Sequence, residues 1–157
     1  MSTKREEARR DLTVNRKAFH DYSIEETLEA GLVLVGSEIK SLREGKANLR
    51  EAYVRVENYE AWLINAHIGL YAQGGTHFNH EPLRKRKLLL HSNQIMYLRA
   101  QVAQKGLTLV PIRIYLARGK AKLEVAVARG KKLYDKREAL AERDAQRDID
   151  RAVRGKL

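Results

Sequence analysis

Up to Arg129 this chain is written in short runs in which apolar and polar residues take turns, and at Gly130 that pattern stops. A period of two puts alternate side chains on opposite faces of a strand. The runs Leu28 to Val35, Ala52 to Glu57, Ala61 to Leu70, Leu107 to Leu116 and Ala121 to Arg129 therefore specify half-buried strands. From Glu138 to Leu157 charges and alanines dominate, and such a segment cannot bury enough apolar surface to offset the entropy of ordering it. The chain divides into a basic N-terminal arm over 1–14, a core-forming body over 15–130 and a basic C-terminal tail over 131–157.

The punctuation between the runs gives the remaining elements. Phe19, Tyr22 and Ile24 supply strand formers for a first strand over 14–24, and Gly31 inside the next run marks a bulge or the close approach of another backbone. Gly36 to Gly45 reads as a short helix with Ser37 at its N-cap and Gly45 at its stop, leaving Lys40, Arg43 and Lys46 on its exposed side. Asn58-Tyr59-Glu60 turns one strand into the next, which carries the single tryptophan, Trp62, as a core or rim residue. Gln73 to Pro82 is the longest aperiodic stretch and precedes the densest cation cluster, Arg84-Lys85-Arg86-Lys87, which Leu88 to Leu90 anchor to the core. Ser92 to Lys105 is a helix with an apolar stripe of Ile95, Leu98 and Val102, ended by Gly106, and Pro111 places the following strand near an edge.

About six short antiparallel strands with inserted helices specify a mainly β fold, a small closed or partly closed barrel of the OB type. The rival, a layered sheet of the RRM type, lacks its aromatic and glycine motif here.

Charge names the class of partner. With 31 Lys and Arg against 20 Asp and Glu, a net charge of +11 and a pI near 10.0, the chain attracts a polyanion. Residues 1–130 carry 22 basic and 14 acidic side chains and the tail 9 and 6, so both parts are basic, and two RNA-facing surfaces or one that spans both are expected. No apolar run reaches the ~20 residues of a membrane span, and Met1 to Asp11 lacks a secretory apolar stretch, so no membrane is expected and the location is cytoplasmic. Zero cysteines remove disulfides and thiol chemistry, and His77 and His80 lack the companions of a metal site. No nucleophile elbow, phosphate loop or zinc-protease run is present, so an enzyme would need His20, Glu29 and His80 to converge; binding without metal or other cofactor is the expectation.

Four segments together resemble the SmpB family of SsrA-binding proteins. They are Asn15-Arg16-Lys17-Ala18 with His20-Asp21-Tyr22; Glu29-Ala30-Gly31 with the run from Gly36 to Asn48; Asn79 to Leu90; and Gly130-Lys131-Lys132-Leu133-Tyr134-Asp135-Lys136-Arg137. The resemblance implies a closed, six-stranded antiparallel OB-like barrel with three helices. It also implies an adaptor that binds the tRNA-like domain of transfer-messenger RNA (tmRNA), supports its alanylation, and enters the empty A site of a stalled ribosome with elongation factor Tu and GTP. Carried over by motif, the RNA-binding residues are Asn15, Arg16, Lys17, Glu29, Gly31, Lys40, Ser41, Arg43, Gly45, Lys46, His80, Arg84, Arg86, Lys87 and Leu89. A structural ribosomal protein or an RNA-processing enzyme is the alternative.

For the tail the resemblance implies ribosome contact, with Lys131, Lys132, Tyr134, Asp135, Lys136 and Arg137 at the decoding centre. The tail is expected to be unstructured when free and helical in the vacant mRNA channel. At ~100° per residue, Arg143, Arg147, Arg151 and Arg154 fall on one helical sector opposite Ala141, Ala145, Ile149, Ala152 and Val153.

Overall fold

The structure is a computed structural model, described for residues 9–75, 78–131, 146–149 and 151. Its longest ladders join three strands: β2 (Tyr22–Leu32), β8 (Thr108–Ala117) and β9 (Lys120–Gly130). Strands β8 and β9 form a hairpin turned at Arg118 and Gly119, both at positive φ, and β9 runs antiparallel to β2 from Tyr22↔Gly130 to Gly31↔Lys122. Strand β9 shows why the sequence folds this way. Leu123, Val125 and Val127 point inward and are fully buried, while Lys122 and Glu124 alternate with them on the outer face.

The first strand lies earlier than the alternation suggests. Residues 9–14, inside the expected arm, form β1 (Arg9–Val14) against β8, and residues 16–21, inside the expected strand, form the short helix α1 (Arg16–Asp21). Asn15 makes the break. Its buried side chain accepts from the Ala18 N–H at 3.2 Å and donates to the Leu49 and Pro111 carbonyls at 3.1 and 2.9 Å, a cap that outweighs the strand propensity of Phe19. Ala18 then packs on Val110, Ile112, Ala126 and Ala128, so α1 covers one end of the outer sheet face.

Helix α2 (Gly36–Arg43) starts from Val35 rather than Ser37: the Glu38 carboxylate turns back to accept the Val35 N–H at 2.9 Å. Gly45, at φ 76°, ends the turn after it. The short strands β3 (Ala47–Asn48) and β6 (His67–Ile68) pair with each other. Between them β4 (Tyr53–Glu57) and β5 (Glu60–Ile64) make a hairpin whose turn residues, Asn58 and Tyr59, both take positive φ. A 3-10 turn at Ala72–Gly74 precedes β7 (Arg86–Leu89). Helix α3 (Ser92–Lys105) ends in the left-handed Gly106 and buries Ile95, Leu98 and Gln101, while Val102 of the expected stripe stays exposed.

The main sheet has seven strands in the order β1-β8-β9-β2-β7-β5-β4. The expected six-stranded closed barrel is not what the ladders form: among the described residues the order is open, with β1 paired to β8 over Arg113 to Ala117 at one end and no ladder from β4 at the other. The sheet curls until β4 packs against β8 through side chains, around a core that includes Val54, Leu63, Leu88, Leu98, Leu109 and Ile114. Pro111 lies before Arg113, the last β8 residue that β1 pairs, so the missing N–H falls where β8 is locally an edge.

Candidate nucleic-acid interface

Alternation along β1, β8, β9, β2 and β7 lines up Asp11, Tyr115, Lys122, Gly31 and Leu89 across one face of the sheet, each directly opposite the next. A neighbouring row runs Arg113, Glu124, Glu29. The rows are cross-linked. The Tyr115 hydroxyl donates to the Glu29 carboxylate, the Arg9 guanidinium stacks 4.0 Å above the Tyr115 ring, and Arg113 pairs with Glu124 at 2.7 Å. Burial and the Glu29 charge together push the Tyr115 hydroxyl far above its ordinary range, so it remains a donor. Glu29 itself stays exposed, which leaves its carboxylate able to accept from a ligand. Gly31 is required by packing: a Cβ there would come within 3.0 Å of Leu89 Cβ, and Leu89 lies over it with 57 % of its surface open.

A second surface is a groove of about 890 Å³ between α1 and the segment after β3. Arg16, Lys17 and His20 line one side, Asn48, Arg50 and Glu51 the other. Lys17 bonds Glu51 across it at 3.0 Å, which raises the Lys17 pKa, whereas Arg16 and Arg50 have no carboxylate partner among the described residues. Lys40 and Arg43 on α2 are likewise exposed and unpaired among the described residues, while Lys46 is held by Glu44 at 3.0 Å. Unpaired cations are the ones that can neutralise phosphate without first breaking an ion pair. Lys87, half-buried, reaches Glu60 at 3.6 Å and aligns with Trp62 and Arg55 on the outer side of β5 and β4. Trp62 is half-buried with the Lys85 ammonium 4.4 Å over its ring.

Four of the expected RNA contacts are interior. Asn15 is the cap described above, and Ser41 is fully buried with no hydrogen-bond partner for Oγ among the described residues. The His80 ring spans from Ser37 Oγ at 2.8 Å to the Ile68 carbonyl at 2.9 Å. Arg86 is fully buried: Nε meets the equally buried Glu38, and its terminal nitrogens donate to the Ala66 and Pro82 carbonyls at 2.7 and 3.1 Å. Arg84 closes the set on the other Glu38 oxygen at 2.5 Å and remains partly exposed. Burial pushes Glu38 up, but the hydrogen bonds from Arg84, Val35 N–H and Arg86 more than offset it and hold the carboxyl below its ordinary range. The cation cluster thus splits by strand alternation: Arg86 goes inward to brace α2, and its neighbours remain outside. Lys122, Asn48 and Arg50, with the buried Tyr115 that the Glu29 carboxylate accepts from, are absent from the sequence reading; only the register and the folding of residues 48–51 against α1 bring them in.

In the tail, residues 146–149 and 151 are helical and exposed, Arg147 and Arg151 among them. Lys131 is described and donates its N–H to the Asp21 carbonyl at 2.9 Å. The other residues expected to meet the ribosome, Lys132, Tyr134, Asp135, Lys136, Arg137, Arg143 and Arg154, lie outside the described residues. Among the described residues no group of three His, Asp or Glu side chains is placed to hold a metal, and no helix is long and apolar enough to cross a membrane.

The model of the SmpB protein family matches residues 12–155, which is nearly the whole chain. The chain belongs to the SmpB family. An SsrA-binding protein of Roseiflexus castenholzii is 61% identical over 140 residues, 89% of each chain, and one of Desulfitobacterium hafniense is 59% identical over the same length. A chain solved in work described as "tmRNA-SmpB: a journey to the center of the bacterial ribosome" is 48% identical and superimposes with a TM-score of 0.67, covering 82% of this chain and 93% of that one. The SmpB match runs from β1 through the tail, so it spans both the sheet face and the α1 groove.

Proposed function

We propose that this chain is the tmRNA-binding adaptor of trans-translation, an RNA-binding protein of the cytoplasm rather than an enzyme. Its body holds the tRNA-like domain of tmRNA, with Glu29, Gly31 and Leu89 on the sheet face and Arg16, Lys17, Lys40, Arg43, Gly45 and Lys46 around the α1 and α2 surfaces. Arg84, Lys87, Lys122 and Arg50 extend the contact. The buried Asn15, Ser41, His80 and Arg86 act from beneath, by fixing the segments that carry those groups. In this reading the body supports alanylation, and the complex travels with elongation factor Tu and GTP to the A site of a stalled ribosome. There the tail, from Lys131 to Arg137 and along the Arg143, Arg147, Arg151 and Arg154 stripe, occupies the decoding centre and the empty mRNA channel.

The observation that carries the proposal is the likeness, at 48% identity, to a chain solved in a tmRNA-SmpB context, together with exposed cations at Arg16, Arg50, Lys40 and Arg43 that have no carboxylate partner among the described residues. The exposed Glu29 among cations adds to it, since a carboxylate repels phosphate but accepts from base amino groups and ribose 2′-hydroxyls. The test is to sequence the RNA that co-purifies with the chain. A single discrete free RNA that ends in a tRNA-like fold is expected. Recovery only with ribosomal subunits, resistant to high salt, would make it a structural ribosomal protein instead.

A further inference from the structure

Beside the two surfaces above lies a third concavity that carries none of their residues except Lys40. It is a groove of about 560 Å³ between the start of α2 and the segment after Tyr71, lined by Val35, Lys40, Tyr71, Gln73, Phe78 and Asn79 among others. Phe78 is its conspicuous member, with 83 % of its surface in water and Val35 beside the groove at 45 %. A ring left this open gains nothing for the fold, and large exposed apolar groups on a charged surface mark contact sites.

The groove is built. Asn79 accepts from the Tyr71 N–H at 3.0 Å and donates back to the Tyr71 and Gly75 carbonyls at 2.7 and 3.0 Å, which pins the two ends of the segment together. A Cβ on Gly74 would come within 3.2 Å of that Asn79 amide, so a larger residue there would push against the clasp. The Lys40 ammonium lies 5.3 Å from the Tyr71 ring centre, and among the described residues it has no carboxylate partner and the groove has no carboxylate in its lining. Arg43 stands one turn further along α2, so the positive track continues away from the groove toward the surface already assigned to RNA.

An aromatic platform, a lone cation and an amide side chain at Gln73 match one chemistry: a flat base, its phosphate and its polar edge. A lipid surface would need a larger apolar area than Phe78 and Val35 offer. We propose that this groove takes one unpaired nucleotide of a bound RNA, the base stacked on Phe78 and the phosphate held by Lys40. The inference rests on the reading that the chain binds RNA, and the source of the nucleotide is either tmRNA or the ribosome.

The experiment measures binding of the full chain to tmRNA and, separately, to ribosomes halted on a message without a stop codon, over a series of salt concentrations. Phe78→Ala should weaken one of the two by about five- to a hundredfold, the range of one base stacked on an aromatic ring, without changing the salt slope. Lys40→Ala should lower that slope by about 0.7 for the same partner. Phe78→Trp should retain affinity and Phe78→Leu should not. Circular dichroism of the variants should match that of the parent, since the ring packs on nothing that holds the fold. Loss on tmRNA assigns the nucleotide to tmRNA, and loss on ribosomes assigns it to ribosomal RNA. Unchanged affinity of Phe78→Ala for both partners overturns the groove, as does full recovery by leucine, which would leave only an apolar contact. Failure of the parent chain to bind either RNA overturns instead the function on which the groove rests.

Discussion

Glu38 and Arg86 face each other with no solvent exposure on either side chain, one from the first turn of α2 and the other from the first residue of β7. Two unlike charges taken fully out of water hold together through the bonds that each makes to the rest of the fold. Removing Glu38 leaves the Arg86 charge with carbonyl partners only, and removing Arg86 leaves the buried Glu38 carboxylate to Arg84 and the Val35 N–H alone.

Arg86→Ala should therefore destabilise the body by roughly 3–5 kcal/mol, whereas Lys87→Ala, one residue along on the opposite face, should change stability by less than about 1 kcal/mol and weaken RNA binding instead. Urea unfolding and an RNA titration of the two variants separate these effects. The double variant Glu38→Leu with Arg86→Met should be more stable than Arg86→Ala, because it buries no lone charge.

The same pair sets an acid limit. Glu38 ionises below the ordinary carboxylate range in the fold, so its contribution is complete above about pH 4.3, the unfolded value, and is lost as pH falls through the lower folded value. Unfolding followed from pH 6 to pH 2, a window of about four units set by that ordinary pKa, should show a steep loss at its lower end. Glu38→Gln should be weaker throughout and shallower there.

Glu29→Ala should weaken tmRNA binding by about tenfold or more, although it removes a negative charge from a surface that meets phosphates. Tighter binding would mean that the carboxylate only holds Tyr115. Tyr115→Phe keeps the ring under Arg9 and tests that part separately, with a smaller effect expected on affinity than on the melting temperature.

Cations that already hold a carboxylate should contribute less to salt dependence than those that do not. Arg16→Ala and Arg43→Ala should each lower the slope of log affinity against log salt by about 0.7–0.9, and Lys46→Ala, whose ammonium rests on Glu44, by less. Equal slopes for all three would show that these surface ion pairs break freely on binding.

A chain ending at Lys131 should fold and bind tmRNA with nearly unchanged affinity, yet give little tagging of stalled peptides. Lys131 is the better end than Gly130 because its N–H closes the ladder onto Asp21. Shuffling residues 138–157 so that the four arginines leave one helical face, at constant composition, should reduce tagging in the full chain if spacing matters as well as charge.

How much of this is legible in the sequence depends on the distance over which each feature is decided. Alternation in residues 121–129 and the stop at Gly106 are local, and both appear in the structure where the residues put them. The reading of residues 9–21 failed because Asn15 makes its decisive bonds to Leu49 and Pro111, far along the chain. Arg86 was misplaced for the same reason: in a run of four cations only the pairing of β7 with β5 and β2 tells which one faces inward to meet Glu38. Residues brought together across strands, such as Tyr115 with Glu29, become visible only once the register is known.

Because β2 pairs with β9 and β1 with β8, strands made early wait for partners made much later. Every other strand precedes β9 in the chain, so synthesis must run through β9 before the sheet can assemble. Such distant pairing slows folding and leaves unpaired strand edges open in the meantime. A message cut anywhere before the codons of β9 yields a polypeptide whose longest ladder has only one side, a product for degradation rather than a shorter working protein.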